Sequence, residues 1–234
     1  MKIQRFFFGF DIGIQNVVIS DADFYNQIKN VLRLKSGDKI ILCDGKSNEA
    51  ECVINSIENK KVNLEIINVH QNKNEPKIKL SVYCSVLKRE NFELVCQKLT
   101  ELGVYKIIPL ICENTVKQGI KIERLRSIVK EAAEQSQRGV IPQLFLPQKL
   151  SDAIEIAQKD GPIFIFDRSG TAEKIHLEDG DISIFIGPEG GWDKSEIDLF
   201  KKNKAEIFSL GKLNFRAETA AITGAFATIY GNDF

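Results

Sequence analysis

"IFIGPEGGWDKSEIDLF" (residues 184–200) decides how the second half of this chain is read. The run leading into it, DISIFI (181–186), is apolar in the manner of a strand buried on both faces. It stops at Gly187, passes through Pro188, Glu189 and two glycines, and reaches Asp193. Asp193 followed three residues later by Glu196 is the signature of a capping box, so a helix opens there. Strand, glycine-rich turn and helix form the unit of an open parallel α/β sheet. In such sheets ligands bind beyond the carboxyl ends of the strands.

Working outward, strands and helices alternate on both sides of this unit. IKLSVYCSV precedes a helix with Phe92, Val95, Cys96, Leu99 and Leu102 on one face, and Gly103 stands where a left-handed C-cap belongs. YKIIPLI is the next strand. A helix from about 122 to 137 follows, with Gly139 expected to stop it, and then a helix over 151–159 and the strand PIFIFD. After AEIFSL, a last helix from about 218 to 230 carries Ala217, Ala220, Ala221, Gly224, Ala225 and Ala227. Such small residues permit close packing within the protein or against a second subunit. The pattern predicts an α/β domain with helices on both faces of a parallel sheet.

The first seventy residues read differently. Short β-rich runs (5–8, 16–19, DKIILCD, AECVINSI, VNLEIINV) are joined by "DGKSN" and "ENKK", which are hairpin signals. Ser20 or Asp21 is placed to cap a short helix ending near Leu32. A small β-barrel is expected, and the polar, proline-ending HQNKNEP (70–76) is the linker. The division predicted is 1–72 and 73–234.

Composition narrows the function classes. Of 234 residues, 43% are hydrophobic and 27% charged, as in ordinary globular enzymes. No apolar run is long enough to cross a bilayer, and the opening MKIQRFFFGF lacks the features of a cleaved leader, so a cytoplasmic protein is expected. The five cysteines form no CxxC pair and only two histidines occur, so buried reduced thiols are expected and a metal site is not. Net charge is zero, yet residues 77–149 carry +6 and residues 150–234 carry −6. That asymmetry permits a basic face for a phosphate backbone, as it permits charges scattered over solvated helices.

Two loops leave strands at the expected ligand edge: GPEGGWD (187–193) and LGKLNFRAETA (210–220). In the first, Gly190 and Gly191 allow close approach to the backbone. Glu189 would repel a phosphate, and neither GxGxxG nor GxxxxGK[ST] occurs. A ligand with a cationic centre and adenine edges fits better, and S-adenosylmethionine has those properties; a plain Gly-Pro turn is the alternative reading. In the second loop Glu218 or Thr219 is placed to cap the following helix. Arg216 reads either as a surface arginine or as a ligand for an anion.

Together, IGPEGGWDKSE and LGKLNFRAETAA closely resemble the RsmE family of 16S ribosomal RNA (uracil-N3) methyltransferases of the SPOUT superfamily. VLRLKSGD (31–38), QKLTELGVYKIIPL (97–110) and EAAEQSQR (131–138) match in the same order. The resemblance implies an N-terminal PUA-like RNA-binding barrel and a C-terminal methyltransferase domain with a trefoil knot. It also implies a homodimer acting on small-subunit RNA with S-adenosylmethionine. It places the cofactor on Gly187, Glu189, Gly190, Gly191, Leu210, Gly211 and Leu213, with Arg216, Thr219 and Ala220 at the start of the last helix. In the reaction it implies, Arg216 stabilises charge on the base and Glu218 accepts a proton; first-turn helix acid is the alternative for Glu218. Candidates for RNA contact are Arg5, Arg33, Lys35, Lys88, Arg89 and Arg138. This chain departs from the family in reading Lys212 and Leu213 where proline and arginine are usual, and Lys88-Arg89-Glu90 where lysine-glycine-aspartate is usual. Rival readings are a related methyltransferase acting on another RNA, a non-catalytic RNA-binding assembly factor, and a nucleotide-dependent enzyme.

Overall fold

The computed structural model describes residues 3–115, 119–171 and 180–231. They belong to two units, Met1–Glu75 with Ala133–Val140, and Pro76–Ala132 with Ile141–Phe234. In the first unit the β-rich runs become β1 (Gln4–Phe7), β2 (Asn16–Ile19), β3 (Lys39–Cys43), β4 (Asn48–Glu58) and β5 (Lys61–Gln71). They form one sheet in the order β1-β3-β4-β5-β2. The β4–β5 hairpin turns through Asn59 and Lys60 at φ 51° and 60°, with Glu58 opposite Lys61. Two left-handed residues in a two-residue loop match the right-handed twist of the strands they join. Asp21 caps α1 (Ala22–Asn26), accepting from the Phe24 amide at 2.8 Å. The expected helix continues only as a π-helical turn over Gln27–Val31. Phe24 and Ile28 pack with Phe6, Ile40, Leu42, Ile54 and Leu64 in the core of this unit.

Polar contacts hold residues 133–140 in the same unit. Arg138, 4% exposed, pairs with Glu75 at 2.7 Å. Glu75 also accepts from the Gly139 amide at 3.0 Å. Asn72 donates to the Gln137 carbonyl at 3.0 Å and to Glu49 at 2.6 Å, and the Phe7 amide donates to Glu134 at 3.0 Å. Two expectations change here. Arg138 is an internal tie and not a surface contact for RNA, because its guanidinium is buried against a carboxylate. The turn after α3 (Ile122–Gln135) is made by left-handed Gln137 at φ 62°, while Gly139 serves close approach. A Cβ on Gly139 would lie 2.7 Å from that of Asn72.

In the second unit the strands are β6 (Lys79–Ser85), β7 (Lys106–Ile111), β8 (Gln143–Leu144), β9 (Gln148–Lys149), β10 (Ile163–Thr171), β11 (Asp181–Ile186) and β12 (Glu206–Phe208). The sheet order is β12-β10-β11-β6-β7-β8, with β9 also on β7, and every pairing among the described residues is parallel. Side chains alternate across it as the pleat requires. Leu80, Val82, Cys84, Ile182, Ile184 and Ile186 join one core with α2 (Arg89–Glu101), α3 and α6 (Ala217–Tyr230). Tyr83 and Phe185 enter the other with α4 (Leu150–Asp160) and α5 (Lys194–Lys202), their rings stacked at 4.4 Å. Gly103, at φ 90°, closes α2 as expected: its amide bonds Thr100 and that of Val104 bonds Leu99. The small residues of α6 face inward; a Cβ on Gly224 would approach the Phe166 ring to 2.9 Å.

From β6 the chain crosses to β7 on one side, while β11, β10 and β12 lie on the other. The carboxyl ends of β6 and β11 therefore flank a switch point, where an open parallel sheet leaves a crevice.

Replacing Arg138 by Ala strands the Glu75 carboxylate and should destabilise the first unit by roughly 3 kcal/mol. Hydrogen exchange should show the loss first at the amides of 137–140. Unchanged protection there would remove the tie described.

Candidate functional site

A cleft of about 800 Å³ lies at that edge, inside the second unit. The loop after β11 forms one wall. The Gly191 amide bonds back to the Pro188 carbonyl at 2.9 Å, and Gly191 sits at φ 75°, which a side chain would strain. Side chains on the neighbouring glycines would collide with fixed groups: the Trp192 ring at 3.0 Å from a Cβ on Gly187, and Asn114 at 3.2 Å from one on Gly190. Asn114 itself donates to the Gly191 carbonyl at 3.1 Å. The capping box forms as the sequence predicts, and Glu196 does more than cap. Its second oxygen accepts from the Glu113 amide at 2.9 Å, so the loops after β7 and β11 share one carboxylate.

The loop after β12 forms the facing wall. All six residues from Gly211 to Arg216 are exposed, and all but Lys212 line the cleft. Arg216 is the N-cap residue of α6, and no side chain bonds the helix start there, so neither Glu218 nor Thr219 caps it. Glu218 is 8% exposed; one of its oxygens lies 3.9 Å from the Arg216 guanidinium, and the other is buried without a partner. A buried carboxylate oxygen left open in this way is costly unless a donor reaches it.

Of the residues expected to hold a ligand, Gly187, Glu189, Gly190, Gly191, Leu210, Gly211, Leu213, Arg216, Glu218 and Ala220 all border this one cleft; Thr219 does not. Lys88, at the start of α2, reaches it too. Asp167, Arg168 and Asn91 line it from outside the two loops expected to hold a ligand, and Trp192 and Phe215 from within them. FDRSG at the end of the PIFIFD strand was the available signal for the first two, since ligands gather at carboxyl ends of strands. The cations Lys88, Arg168 and Arg216 balance the anions Asp167, Glu189 and Glu218 around the lining.

The remaining basic candidates are dispersed. In the first unit Arg33 and Lys35 are exposed, Arg33 at φ 55°. Its left-handed turn lets the Leu34 amide bond the Ile28 carbonyl at 2.9 Å, so Leu32 and Leu34 pack against the core while the guanidinium stays in solvent. Arg5 is half-buried and lies 3.5 Å from buried Glu49. Arg89 bonds Glu93 at 3.0 Å, and Glu93 also takes Arg124 at 2.6 Å; these hydrogen bonds, Arg124 first, hold the Glu93 carboxyl down at about 2.

All five cysteines are buried and free. Burial, with help from the Glu189 and Glu218 charges, pushes the Cys84 thiol well above its usual range. Burial likewise raises Cys112, beside Glu196, to about 12. Neither thiol offers a thiolate near neutral pH. No group of three or more His, Cys, Asp or Glu among the described residues is placed to hold a metal ion, and His176 lies outside those residues.

Residues 73–228 match the family model of the RNA methyltransferase domain, and residues 25–67 that of the RNA methyltransferase PUA domain. The ribosomal RNA small subunit methyltransferase E of Rickettsia conorii is 31% identical over 95% of this chain and 93% of its own length. The chain belongs to this RNA methyltransferase family. The Bacillus subtilis member is 32% identical over 88% of the chain and 86% of its own. Among solved structures, the Neisseria gonorrhoeae member, bound to S-adenosylmethionine, covers all of both chains with a TM-score of 0.91 at 26% identity. A Legionella pneumophila methyltransferase with bound S-adenosylmethionine covers 99% of this chain and 98% of its own, with a TM-score of 0.90 at 27% identity.

With thiols held neutral by burial, iodoacetamide at pH 7.5 should leave all five cysteines unmodified in the folded protein. They should label together once it is unfolded, as read by intact mass. Prompt native labelling of Cys84 or Cys112 would contradict their placement.

Proposed function

We propose that this family member transfers a methyl group from S-adenosylmethionine to N3 of a uridine in 16S ribosomal RNA. The observation that carries the reading is the buried Glu218 carboxylate, one oxygen without a partner and the other 3.9 Å from exposed Arg216, in a glycine-walled cleft. The cleft suits the cofactor. Its volume is typical of a small-molecule site, and its charges balance. A carboxylate stands on each wall for a cationic centre, and a run of glycines bars side chains from one of them. Gly187, Glu189, Gly190 and Gly191 would hold S-adenosylmethionine from one side, and Leu210, Gly211 and Leu213 from the other. When bound, it supplies a methyl group on a sulfonium, reactive toward a nitrogen lone pair in line with the carbon–sulfur bond.

The chain's own residues have three tasks. The two walls fix the approach, and alignment of this kind can supply roughly 7–11 kcal/mol of a barrier. Glu218 accepts the imino proton from N3. Arg216, free to move in solvent, meets the negative charge that spreads onto the uracil oxygens as that proton leaves. No covalent attachment is required, in keeping with the neutral cysteines. A non-catalytic binding module would have no use for the open carboxylate.

The RNA is held through phosphates by Arg33 and Lys35 in the PUA unit and by Lys88 at the cleft, and the target base leaves its stack to enter. The protein works as a homodimer in the cytoplasm; exposed Phe226 on α6 and Leu94 on α2 are apolar surface such a dimer would cover. The path from β12 back to α6, which packs on β6 and β11, is where the family's trefoil knot would be tied.

Primer extension on small-subunit RNA incubated with enzyme and S-adenosylmethionine should stop at one uridine. The Arg216→Ala variant should bind S-adenosylhomocysteine within a few fold of wild type and lose turnover by a hundredfold or more; full activity would remove its role. RNA affinity should fall steeply between 50 and 200 mM salt. A flat response would discount the phosphate contacts.

A further inference from the structure

We propose that Phe215 is the platform on which the target base stacks, a positioning residue for the RNA and not part of the cofactor cradle. The inference rests on the reading of the cleft as an RNA methyltransferase site. Phe215 is 37% exposed and borders the cleft immediately before Arg216 and three residues before Glu218. Among the described residues its ring contacts no other aromatic ring, unlike the paired rings of the three cores. It belongs to the exposed run Gly211–Arg216, which combines an aromatic face with Lys212 and Arg216.

An exposed run of this composition has the chemistry of a single-strand nucleic-acid contact: a π-face for a base, with cations for the flanking phosphates. Charge supports that occupant. Arg168, within β10, borders the same cleft, is exposed, and has no ion pair among the described residues. Its acidic neighbour Asp167 is engaged by the Ser169 amide at 2.9 Å and hydroxyl at 2.6 Å. Cations therefore reach the cleft from β10 and from the loop after β12. The opposite wall is where glycines let another molecule meet the backbone. The arrangement leaves the cofactor between the glycine wall and Leu210–Leu213, and the base at the Phe215–Arg216 end of the same loop.

The test compares binding of oligouridylate with binding of an abasic ribose-phosphate strand of equal length, by fluorescence anisotropy. Wild type should prefer oligouridylate. Phe215→Ala should weaken oligouridylate binding about tenfold or more and leave the abasic strand unaffected, while Phe215→Trp restores the preference. Calorimetry should find S-adenosylhomocysteine affinity within twofold of wild type in both variants. Equal binding of the two strands by wild type, an equal loss on both strands in Phe215→Ala, or no loss on either would overturn the proposal. So would a large loss of S-adenosylhomocysteine affinity, which would assign the ring to the cofactor. Methyl transfer by wild type to small-subunit RNA is measured separately. Its absence alongside Phe215-dependent uridylate binding would sink the methyltransferase reading and leave the stacking intact.

Discussion

The parallel pairing of β11 with β6 is the constraint from which the site follows. Six residues of each strand are in register, Asp181–Ile186 against Lys79–Cys84. Both strands are buried on their two faces, so isoleucine and leucine fill one side while Tyr83 and Phe185 stack on the other. Parallel strands need crossovers, and crossovers return all chain exits to one edge. There β6 hands the chain to α2 in one direction and β11 hands it to α5 in the other. The cleft opens there, bordered by the glycines of the loop after β11 and by Lys88 and Asn91 at the start of α2. A slip of one residue would turn the isoleucines of β11 toward α4 and α5 and close that edge.

Glu196 then fixes what the sheet leaves open. Its two oxygens accept from Asp193 and Glu113, which belong to different loops, and Asn114 continues the bond network to Gly191. A loop built on glycines would otherwise be the most mobile part of the cleft, since glycine loses the most freedom on ordering. The carboxylate is 8% exposed and doubly bonded, so little is gained by breaking either contact. The GPEGG wall is thereby tied by hydrogen bonds to the loop after β7, whereas the six residues facing it are exposed.

Much of this was legible in the sequence. The capping box at 193–196, the left-handed Gly103 and the Asn59-Lys60 turn each depend on a few adjacent residues and formed as local chemistry dictates. The glycine and RAETA loops were found because strand-end position and composition coincide there. What was missed depends on partners distant in sequence. Arg138 looks like any surface arginine until Glu75 and Asn72 close around segment 133–140. EAAEQSQR was recognised as part of a family pattern, but its helical period alone could not show that its end belongs with the β-rich unit. Asp167 and Arg168 lie within β10 just past its apolar run, where no local pattern separates a cleft residue from a solvated one.

The departures in the second loop can now be read physically. Proline would stiffen the position that Lys212 fills, and arginine would put a charge where Leu213 stands. Here the loop bends at Gly211, φ 134°, steadied by the Ser209 hydroxyl, which donates to the Gly211 carbonyl at 3.0 Å. The cation is displaced by one residue, from 213 to 212. Leu213 is left 77% exposed and bordering the cleft. A side chain so exposed gains most when something covers it, by about 25 cal/mol for each Å² of apolar surface removed from water. The apolar side chains of this loop are therefore a reserve of binding energy realised only when the cleft is filled. Such energy tightens binding of whatever enters, but it raises turnover only where the contact improves on the way to the transition state. In the proposed reaction that improvement is assigned to Arg216 and Glu218, the charged groups at the end of the same loop.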